Sequence, residues 1–311
     1  MKTSNLQAGF DCMAVLLKGV LMAMCMIMLL TTCEKEIKVT LPSYSNKVVI
    51  EGSIENGQPA VVMVTRSMPY FSDINIDTLM DKVFINNAIV TVTSSSGESE
   101  QLVFTLAPDI SPFYFAYVSP TLRGEEGKTY TLKVELDGQE YSAVTSILHP
   151  FTLDSIGLVP FMNRDSTLSV RALMTDNPAT TDYYRFQVKV HGKKLYDRFW
   201  ASSMPVVFDD LTFSGLTMNV EVLRAIPLRL FLEDMNDEQR KEYNRSTYRK
   251  GDTIYVKYSR IDYDSYRYWI TAAGELNGGN PFMSPAPIIS NIKGDNVLGA
   301  WCGYASKIDT L

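Results

Sequence analysis

The sequence predicts a mainly β protein with two tandem β-sandwich domains, the second carrying one packed C-terminal helix. Short runs rich in β-branched and aromatic residues recur along both halves of the chain and are bounded by turn formers. This pattern is interrupted at His149-Pro150, where we place the domain boundary. One segment near the C-terminus has the period of an amphipathic helix.

Residues 1–32 have the composition of an export signal. Lys2 and Lys18 precede an uncharged apolar run, residues 19–30, which is too short to cross about 30 Å of hydrocarbon as a helix. The run ends in Leu30-Thr31-Thr32-Cys33, which resembles a bacterial lipoprotein signal whose cysteine is acylated and becomes the new N-terminus. We expect a signal peptide over 1–32 and lipid attachment at Cys33. The alternative is an ordinary secretory signal cleaved nearby, with Cys33 an incidental thiol.

The residues after Cys33 bear on location. Residues 33–46 are polar and contain Pro42, which is typical of a tether. The charged cluster Glu34-Lys35-Glu36 resembles the export signal that carries Bacteroidetes lipoproteins to the outer face of the outer membrane. We expect a lipid-anchored protein of the cell outer membrane, and this cluster favours the cell surface over the periplasmic face.

The positions of the four cysteines argue against a disulfide framework in the exported chain. Cys12 and Cys25 lie in the segment that export would remove. If Cys33 is acylated, Cys302 is the one remaining thiol and no intrachain disulfide can form. We expect Cys302 to be a small buried hydrophobic residue, and a packed core to stabilise the fold.

The composition bounds the size and the partners. From Cys33 onward 279 residues remain, enough for two domains of ordinary size. They carry 27 basic and 34 acidic residues, and this negative balance argues against nucleic acid as a partner. No later apolar run approaches the roughly 18 residues of a spanning helix, so we expect the N-terminal lipid to be the only membrane anchor.

The first predicted sandwich covers residues 47–149. Asp137-Gly138 is a strong two-residue hairpin signal, because both positions suit positive φ. The predicted strands are 47–54, 60–66, 88–93, 101–106, 113–118, 129–136 and 140–148. Regularly spaced turn signals between them indicate a β-sandwich.

The second predicted sandwich covers residues 150–311. Its predicted strands are 154–159, 167–174, 183–190, 206–208, 217–223 and 253–260. The segment 264–276 is predicted to be helical, with Tyr266, Trp269, Ile270 and Ala273 on one face and Asp262 or Asp264 as the cap. The tail from residue 280 ends in the apolar run 297–301, and we expect it to pack over the second domain.

Two stretches resemble known families. Residues 88–97 and 127–134 are similar to a run found in prealbumin-like and immunoglobulin-like modules. The blocks 208–210, 251–256, 280–285, 290–292 and 298–304 follow the order of the Bacteroidetes domain-of-unknown-function family 4249, a group of predicted outer-membrane lipoproteins. The resemblance covers nearly all of the chain after Cys33. The chain departs from the family in its lipobox and in a charged insert over residues 233–250.

The family resemblance implies a role but no catalytic residues. The genes of members commonly lie beside those of TonB-dependent outer-membrane receptors. This implies a part in nutrient uptake, with such a receptor as a possible partner. The family has no established active site, so no residue can be assigned a role from it.

The sequence offers few residues for catalysis. It lacks the nucleophile elbow, the Walker loop and the dinucleotide-binding glycine motif. His149 and His191 stand apart from cysteines and carboxylate pairs, which argues against zinc, and we expect both at the surface or the domain boundary. We therefore expect a protein that is not an enzyme, with no catalytic residue, metal or cofactor.

Two kinds of carboxylate pattern are candidate sites. Glu98 with Glu100, or Asp209 with Asp210, are candidate glycosidase pairs, but a charged turn explains each pair equally well. Residues 73–77 open like a calcium loop, with Asp81 in ninth place. However, Thr78 and Phe84 replace the Gly and Glu that such a loop requires, so we interpret it as a solvated loop.

Aromatic residues are the second group of candidate binding residues, after the carboxylates. A platform for sugar rings is one hypothesis, although Trp269 and Trp301 fit a core better because both lie in apolar patterns. The platform candidates are Trp200, Trp269, Trp301, Tyr263, Tyr266 and Tyr268. Tyr70-Phe71 and Phe113-Tyr114-Phe115 lie next to prolines and are candidates for an exposed partner surface.

Five short patterns resemble acceptor sequences for O-glycans in Bacteroides-type exported proteins. They are centred on Thr78, Ser155, Ser166, Thr253 and Thr310. Such patterns also arise by chance where a turn leads into a strand.

These observations favour a non-enzymatic outer-membrane lipoprotein that serves as an accessory or ligand-binding module of a TonB-dependent nutrient uptake system. The alternative is a stand-alone surface lipoprotein that binds glycans or peptides or mediates adhesion. The sequence names neither the ligand nor the receptor.

Overall fold

The computed structural model describes residues 18–19, 22, 46–67, 83–107, 115–192, 200–224, 236–238, 246–276 and 287–311. Cys33 and residues 33–45 of the predicted tether lie outside this part. Residues Asn46–Leu311 form one structural unit. No helix among the described residues is long and apolar enough to cross a membrane.

The described chain is dominated by β-strands, followed by a C-terminal helix and a long last strand. The elements are β1 (Val48–Glu55), β2 (Pro59–Arg66), β3 (Ile89–Ser94), β4 (Ser99–Gln101), β5 (Val103–Leu106), β6 (Phe115–Arg123), β7 (Thr129–Leu136), β8 (Gln139–Ser146), β9 (Ser155–Phe161), β10 (Arg164–Thr175), β11 (Tyr183–Val190), β12 (Ala201–Asp209), β13 (Thr217–Arg224), β14 (Ile254–Ile261), α1 (Tyr263–Leu276) and β15 (Val297–Thr310). The predicted mainly β fold with a C-terminal helix is confirmed.

The strands form two sheets. A four-stranded sheet has the order β4-β3-β7-β8, and an eleven-stranded sheet has the order β5-β6-β2-β1-β15-β14-β11-β12-β13-β10-β9. Neighbouring strands are antiparallel except for β1 and β15, which run parallel. The long sheet therefore continues from the first half of the chain into the second.

The first core is a β-sandwich. It lies between the four-stranded sheet and the β1, β2 and β6 part of the long sheet. Alternate residues point inward, as the two-residue period of a strand requires: Leu132 and Val134 on β7 face Ile50 and Val62 on the other sheet, and all four are fully buried. The Asp137-Gly138 hairpin forms with positive φ at both residues, as predicted.

The position of β15 corrects the prediction for the tail. Residues 297–301 do not pack only over the second half. They lie beside β1, and the fully buried Trp301 belongs to the first core. Trp301 pairs with Gly52, where an added Cβ would lie 2.7 Å from the indole Cε3. A glycine is therefore required opposite this indole.

The two halves of the chain share one sheet through β15. His149 and Pro150 lie in the connection between β8 and β9, where the boundary was predicted. The parallel β1–β15 pairing joins strands about 250 residues apart, and parallel pairs are always non-local because they need a crossover connection. The division into two domains at this connection stays a prediction.

The second core is enclosed by the remaining strands of the long sheet. The inner faces of β10 and β13 meet those of β11 and β14, so this part of the sheet closes around its own apolar face. Phe151 packs edge-on against Tyr184 and Tyr258, with ring centroids 4.8 and 5.2 Å away. The connection after β8 thus contributes to the second core.

Helix α1 covers the outer face of the long sheet. Asp262 is its cap: Oδ1 accepts a hydrogen bond from the backbone N–H of Ser265 at 2.8 Å. The buried face is rotated from the predicted one, because Ser265, Tyr268 and Ala272 are buried whereas Ile270 is 45% exposed. The small side chains of Ser265 and Ala272 allow the helix to approach β15 closely. This packing outweighs the apolar character of Ile270.

Candidate functional site

Three tyrosines form a surface cluster where β11 and α1 begin. We call Tyr183, Tyr263 and Tyr266 the tyrosine cluster. The ring of Tyr183 lies 5.4 Å from that of Tyr263 and stacks on that of Tyr266 at 4.7 Å, measured between centroids. Tyr263 is 53% exposed and presents its ring to solvent, while the other two rings are half-buried.

Local chain geometry brings the cluster together. Tyr183, the first residue of β11, pairs with Ile261 at the end of β14. The chain then passes through the capping residue Asp262 directly into α1, so the first turn of the helix lies beside the start of β11. Residues 263 and 266 are three positions apart in the helix, and their side chains therefore share a face.

Asp209 anchors the cluster from the neighbouring strand. It ends β12 opposite Tyr183. Its Oδ2 accepts a hydrogen bond from the hydroxyl of Tyr266 at 2.7 Å, and its Oδ1 accepts one from the backbone N–H of Leu211 at 3.2 Å. Burial, together with the hydrogen bond to this carboxylate, raises the pKa of Tyr266 to about 12. The phenol therefore remains protonated as a donor and fixes the ring.

Three buried carboxylates lie next to the cluster. Suitable oxygens of Asp176, Asp182 and Asp210 are all within 4.8 Å of one another. Carboxylates at this spacing are the oxygen donors that hard cations prefer. Here, however, both oxygens of Asp176 accept hydrogen bonds, from the hydroxyl of Tyr184 at 2.9 Å and the N–H of Gly215 at 3.0 Å.

Protein donors also hold the other two members of this acidic group. Asp182 accepts a hydrogen bond from the hydroxyl of Thr180 at 2.9 Å and forms an ion pair with Arg260. Asp210 accepts a hydrogen bond from the backbone N–H of Asp182 at 2.7 Å. The group is therefore engaged in fixing the loops before β11 and after β12, which position Tyr183 and Asp209.

The surroundings of the cluster are electrostatically negative. Burial raises the pKa of Tyr183, and the neighbouring Tyr263 and the carboxylates Asp209, Asp210 and Asp182 raise it further. Burial likewise raises the pKa of Asp210, and the nearby Asp176 and Asp182 add to this effect. Arg260 offsets one of these charges by pairing with Asp182.

The tyrosine cluster lies in a row of the long sheet that is remote from Val48, where the chain enters the sheet. Tyr184 pairs with Arg260 and Arg260 with Ala305, while Glu55 pairs with Tyr304. The start of β11 therefore shares a row of the sheet with the end of β1.

The chain enters the unit at the opposite end of that strand. Val48, the first residue of β1, is seven residues before Glu55. At roughly 3.3 Å per residue, the two ends of β1 are separated by about 23 Å. Along the strand direction, the tyrosine cluster and the entry point of the predicted tether are thus at opposite ends of the sheet.

The other aromatic candidates do not join this cluster. Trp301 is in the first core, and Tyr268 is buried with its hydroxyl 3.2 Å from Oε1 of Glu51. The six candidates therefore do not form one platform, and the structure places Tyr263 and Tyr266 alone of them in the cluster.

Trp269 and Trp200 contact cations beneath the surface. The guanidinium of Arg185 lies 3.6 Å from the centre of the Trp269 ring, and its Nη1 donates to the hydroxyl of Tyr304 at 2.6 Å. The Lys257 ammonium lies 4.7 Å from the Trp200 ring and 2.8 Å from Oε2 of Glu55. These are cation–π contacts within the fold.

The remaining sequence candidates are dispersed. His149 and His191 are both exposed, and Cys302 is buried, which raises the pKa of its thiol to about 11. Glu100 accepts hydrogen bonds from the backbone N–H groups of Thr121 and Leu122. A hydrogen bond from the Thr121 hydroxyl, together with these two, outweighs the effect of burial and lowers the pKa of Glu100.

Several candidates fall outside the described residues. They are the calcium-like segment 73–77 with Asp81, the pairs 70–71 and 113–114, and Thr78. Phe115 is described and stacks on Phe104 with centroids 5.6 Å apart. Among the glycan acceptor hydroxyls, Ser155, Ser166, Thr253 and Thr310 belong to exposed residues.

Sequence reasoning missed Tyr183, Asp176 and Asp182, although Asp209 and Asp210 are a candidate pair in the sequence. Tyr183 belongs to a predicted strand, 183–190, which the structure contains, but its neighbours depend on strand pairing. The available signal was that Asp182, Asp209 and Asp210 stand at strand ends, where polar side chains are often functional.

Comparison with known proteins gives the family of the chain. No curated protein matches the sequence. A family model described as a domain of unknown function (DUF4249) matches residues 34–308, which is nearly all of the chain after Cys33. The chain therefore belongs to the DUF4249 family.

Proposed function

We propose that this protein is a non-enzymatic, lipid-anchored protein of the outer membrane that acts as an accessory or ligand-binding module of a TonB-dependent nutrient uptake system. The lipoprotein-like signal ending at Cys33 and the family resemblance motivate the location and the partner. The structural observation that supports a binding role is the tyrosine cluster with its exposed Tyr263, which shares a row of the sheet with the end of β1 remote from Val48.

The geometry suits a tethered module. Twelve residues, 34–45, separate Cys33 from Asn46, the first residue of the folded unit. Such a segment reaches at most roughly 45 Å when extended. A lipid on Cys33 would attach the unit through its Val48 end, and the tyrosine cluster lies in the row of the sheet that contains the other end of β1.

The carboxylates near the cluster support a binding role over catalysis. Asp209 and Asp210 were candidate catalytic residues, but each accepts hydrogen bonds that fix its neighbours in place. Their arrangement shapes the surface on which Tyr263 is exposed. A screen of glycoside substrates with the Asp209→Asn variant tests this point, and an activity that the variant loses would contradict a non-enzymatic role.

Lipid attachment has a direct test. Cells that express the full-length chain are fed an alkyne-labelled palmitate, and the chain is then isolated and examined for label. We expect label in the wild-type chain and none in Cys33→Ser, with Cys302→Ser as the matched cysteine control that keeps its label. An unlabelled wild-type chain would contradict the proposed anchor.

A stand-alone glycan- or peptide-binding or adhesion protein is the second candidate. The exposed ring of Tyr263 favours this function, because a ligand can bind such a ring directly, without a receptor. The two functions are separated by asking whether a receptor copurifies with the chain.

A further inference from the structure

We infer that the tyrosine cluster with Asp209 binds a cationic partner, specifically the lysine or arginine side chains of a basic peptide segment. This inference rests on the proposed function and names the chemistry of the ligand at the same surface. It is argued from the geometry of the rings, from the charges around them and from a contact that the chain itself makes.

The rings offer the right kind of surface. The exposed face of a tyrosine attracts ammonium and guanidinium groups, and the attraction is strongest where water is partly excluded. Tyr263 is exposed, and the tilted ring of Tyr183 lies 5.4 Å from it, measured between centroids. Tyr183 in turn stacks on Tyr266 at 4.7 Å. The ring is thus held in place before a ligand arrives.

The charges favour a cation over an anion or a neutral sugar. Asp209 lies at the cluster, and the buried Asp182 and Asp210 lie directly behind it. Asp264 is exposed in the first turn of α1. Arg260 is paired to Asp182, and Arg267 adds one positive charge beside Tyr263, so Asp209, Asp210 and Asp264 leave a net negative charge near the rings. A neutral sugar carries no net charge, so the field of these carboxylates gives it no long-range attraction.

The chain already shows the contact that we infer. The guanidinium of Arg267, one helical turn from Tyr263, lies 5.5 Å from the centre of the Tyr263 ring. This distance is within the range for a cation–π interaction. The same ring is therefore oriented so that a guanidinium can lie against it, and a peptide arginine or lysine would make the equivalent contact by replacing Arg267 there.

The test uses the purified full-length chain in detergent and isothermal titration calorimetry. The probes are an acetylated tetra-arginine amide, the matching tetra-glutamate peptide and the neutral sugar maltotetraose. We expect the tetra-arginine peptide to bind and the other two to give no heat of binding. Its affinity should fall as salt is raised, because salt screens exposed charges.

Variants locate the binding. Tyr263→Ala and Asp209→Asn should each weaken the tetra-arginine peptide by roughly fivefold, which is typical of one partly desolvated cation–π or ionic contact. Asp295→Asn removes an exposed carboxylate near the Val48 end and should leave the affinity unchanged. Thermal unfolding of each variant verifies that it is folded.

Three results would overturn the inference: no binding of the tetra-arginine peptide, preferential binding of maltotetraose, or binding that Tyr263→Ala and Asp209→Asn leave unchanged. Because the titration uses isolated protein, its failure would not affect lipid labelling of Cys33 or receptor recovery. Conversely, a chain that binds the peptide but recovers no receptor would contradict the proposed function alone.

Discussion

Trp301 donates a hydrogen bond from its indole Nε1 to the backbone carbonyl of Tyr130 at 3.0 Å, across the interior of the first core. The two residues are 171 positions apart, and Trp301 comes from the last strand of the chain. The first sandwich is therefore completed by the C-terminus, and its stability should depend on residues near position 300.

Replacing Trp301 should destabilise the protein strongly. Trp301→Ala leaves a large cavity and removes the partner of the Tyr130 carbonyl, so we expect a loss of about 3–5 kcal/mol in the free energy of unfolding. Urea denaturation measures this. Ile308→Ala, at a 53% exposed position of the same strand, is the control and should change stability by about 0.5 kcal/mol or less. A similar small loss for Trp301→Ala would contradict the assignment of β15 to the first core.

Gly52 should resist even a methyl group. The Cβ of Gly52→Ala would meet the Trp301 ring at 2.7 Å, and the required shift should cost about 1–3 kcal/mol. Gly157→Ala is the matched control, because nothing lies within 4 Å of its Cβ position. Thermal or urea unfolding of both variants compares them, and equal stabilities would show that the strands do not pair in this register.

Asp262 should join the helix to the first sandwich. Its Oδ1 caps α1, while its Oδ2 accepts hydrogen bonds from the Thr145 hydroxyl at 2.6 Å and the Ser146 N–H at 3.0 Å. We expect Asp262→Ala to lower the free energy of unfolding by about 1–3 kcal/mol, through the lost cap and the unpaired donors.

The neighbouring acid supplies the control for Asp262. Asp264 is exposed in the first turn, so Asp264→Ala should lose only about 0.3–1 kcal/mol of dipole interaction. A double-mutant cycle between Asp262→Ala and Thr145→Val should then show a coupling energy. Additive effects of the two substitutions would contradict a direct link.

Asp210 should make stability depend on pH. Burial, reinforced by Asp176 and Asp182, raises its pKa above the ordinary 3.8. Between 3.8 and the folded value, the native state binds more protons than the unfolded chain, so stability falls as the pH rises through this window. Asp210→Asn cannot lose a proton, and its amide oxygen can still accept the Asp182 N–H. Relative to wild type, its free energy of unfolding should increase as the pH rises from about 3.5 to 7.

Urea denaturation across that pH range measures the Asp210 effect. Asp295→Asn, at an exposed site, should differ from wild type by an amount that changes little with pH. If the difference between Asp210→Asn and wild type were equally flat, the carboxylate would not be held as the structure places it.

Local patterns in the sequence were sufficient for most elements. The alternation of Leu132 and Val134, the Asp137-Gly138 turn and the period of residues 263–276 each depend on near neighbours, and the structure contains the strand, the hairpin and the helix. The partner of β15 depends on a parallel pairing across the whole chain, which no local pattern encodes.

The site was predicted only in part for the same reason. Tyr263 and Tyr266 were candidates because they are close in sequence and rich in aromatic surface. Tyr183 and Asp209 join them only through the pairing of β11 with β12 and β14. The buried helix face was misplaced because Tyr268 is held by Glu51, a contact with the distant strand β1.

Receptor capture tests the central claim most directly. The full-length chain, carrying a C-terminal affinity tag, is purified from solubilised outer membranes of the cells that produce it, and copurifying proteins are identified by mass spectrometry. Cys33→Ser, processed alongside, controls for proteins that bind the soluble chain after lysis. The account predicts that a TonB-dependent receptor copurifies with wild type and is depleted with Cys33→Ser. Recovery of the tagged chain from the outer membrane with no such receptor would contradict it.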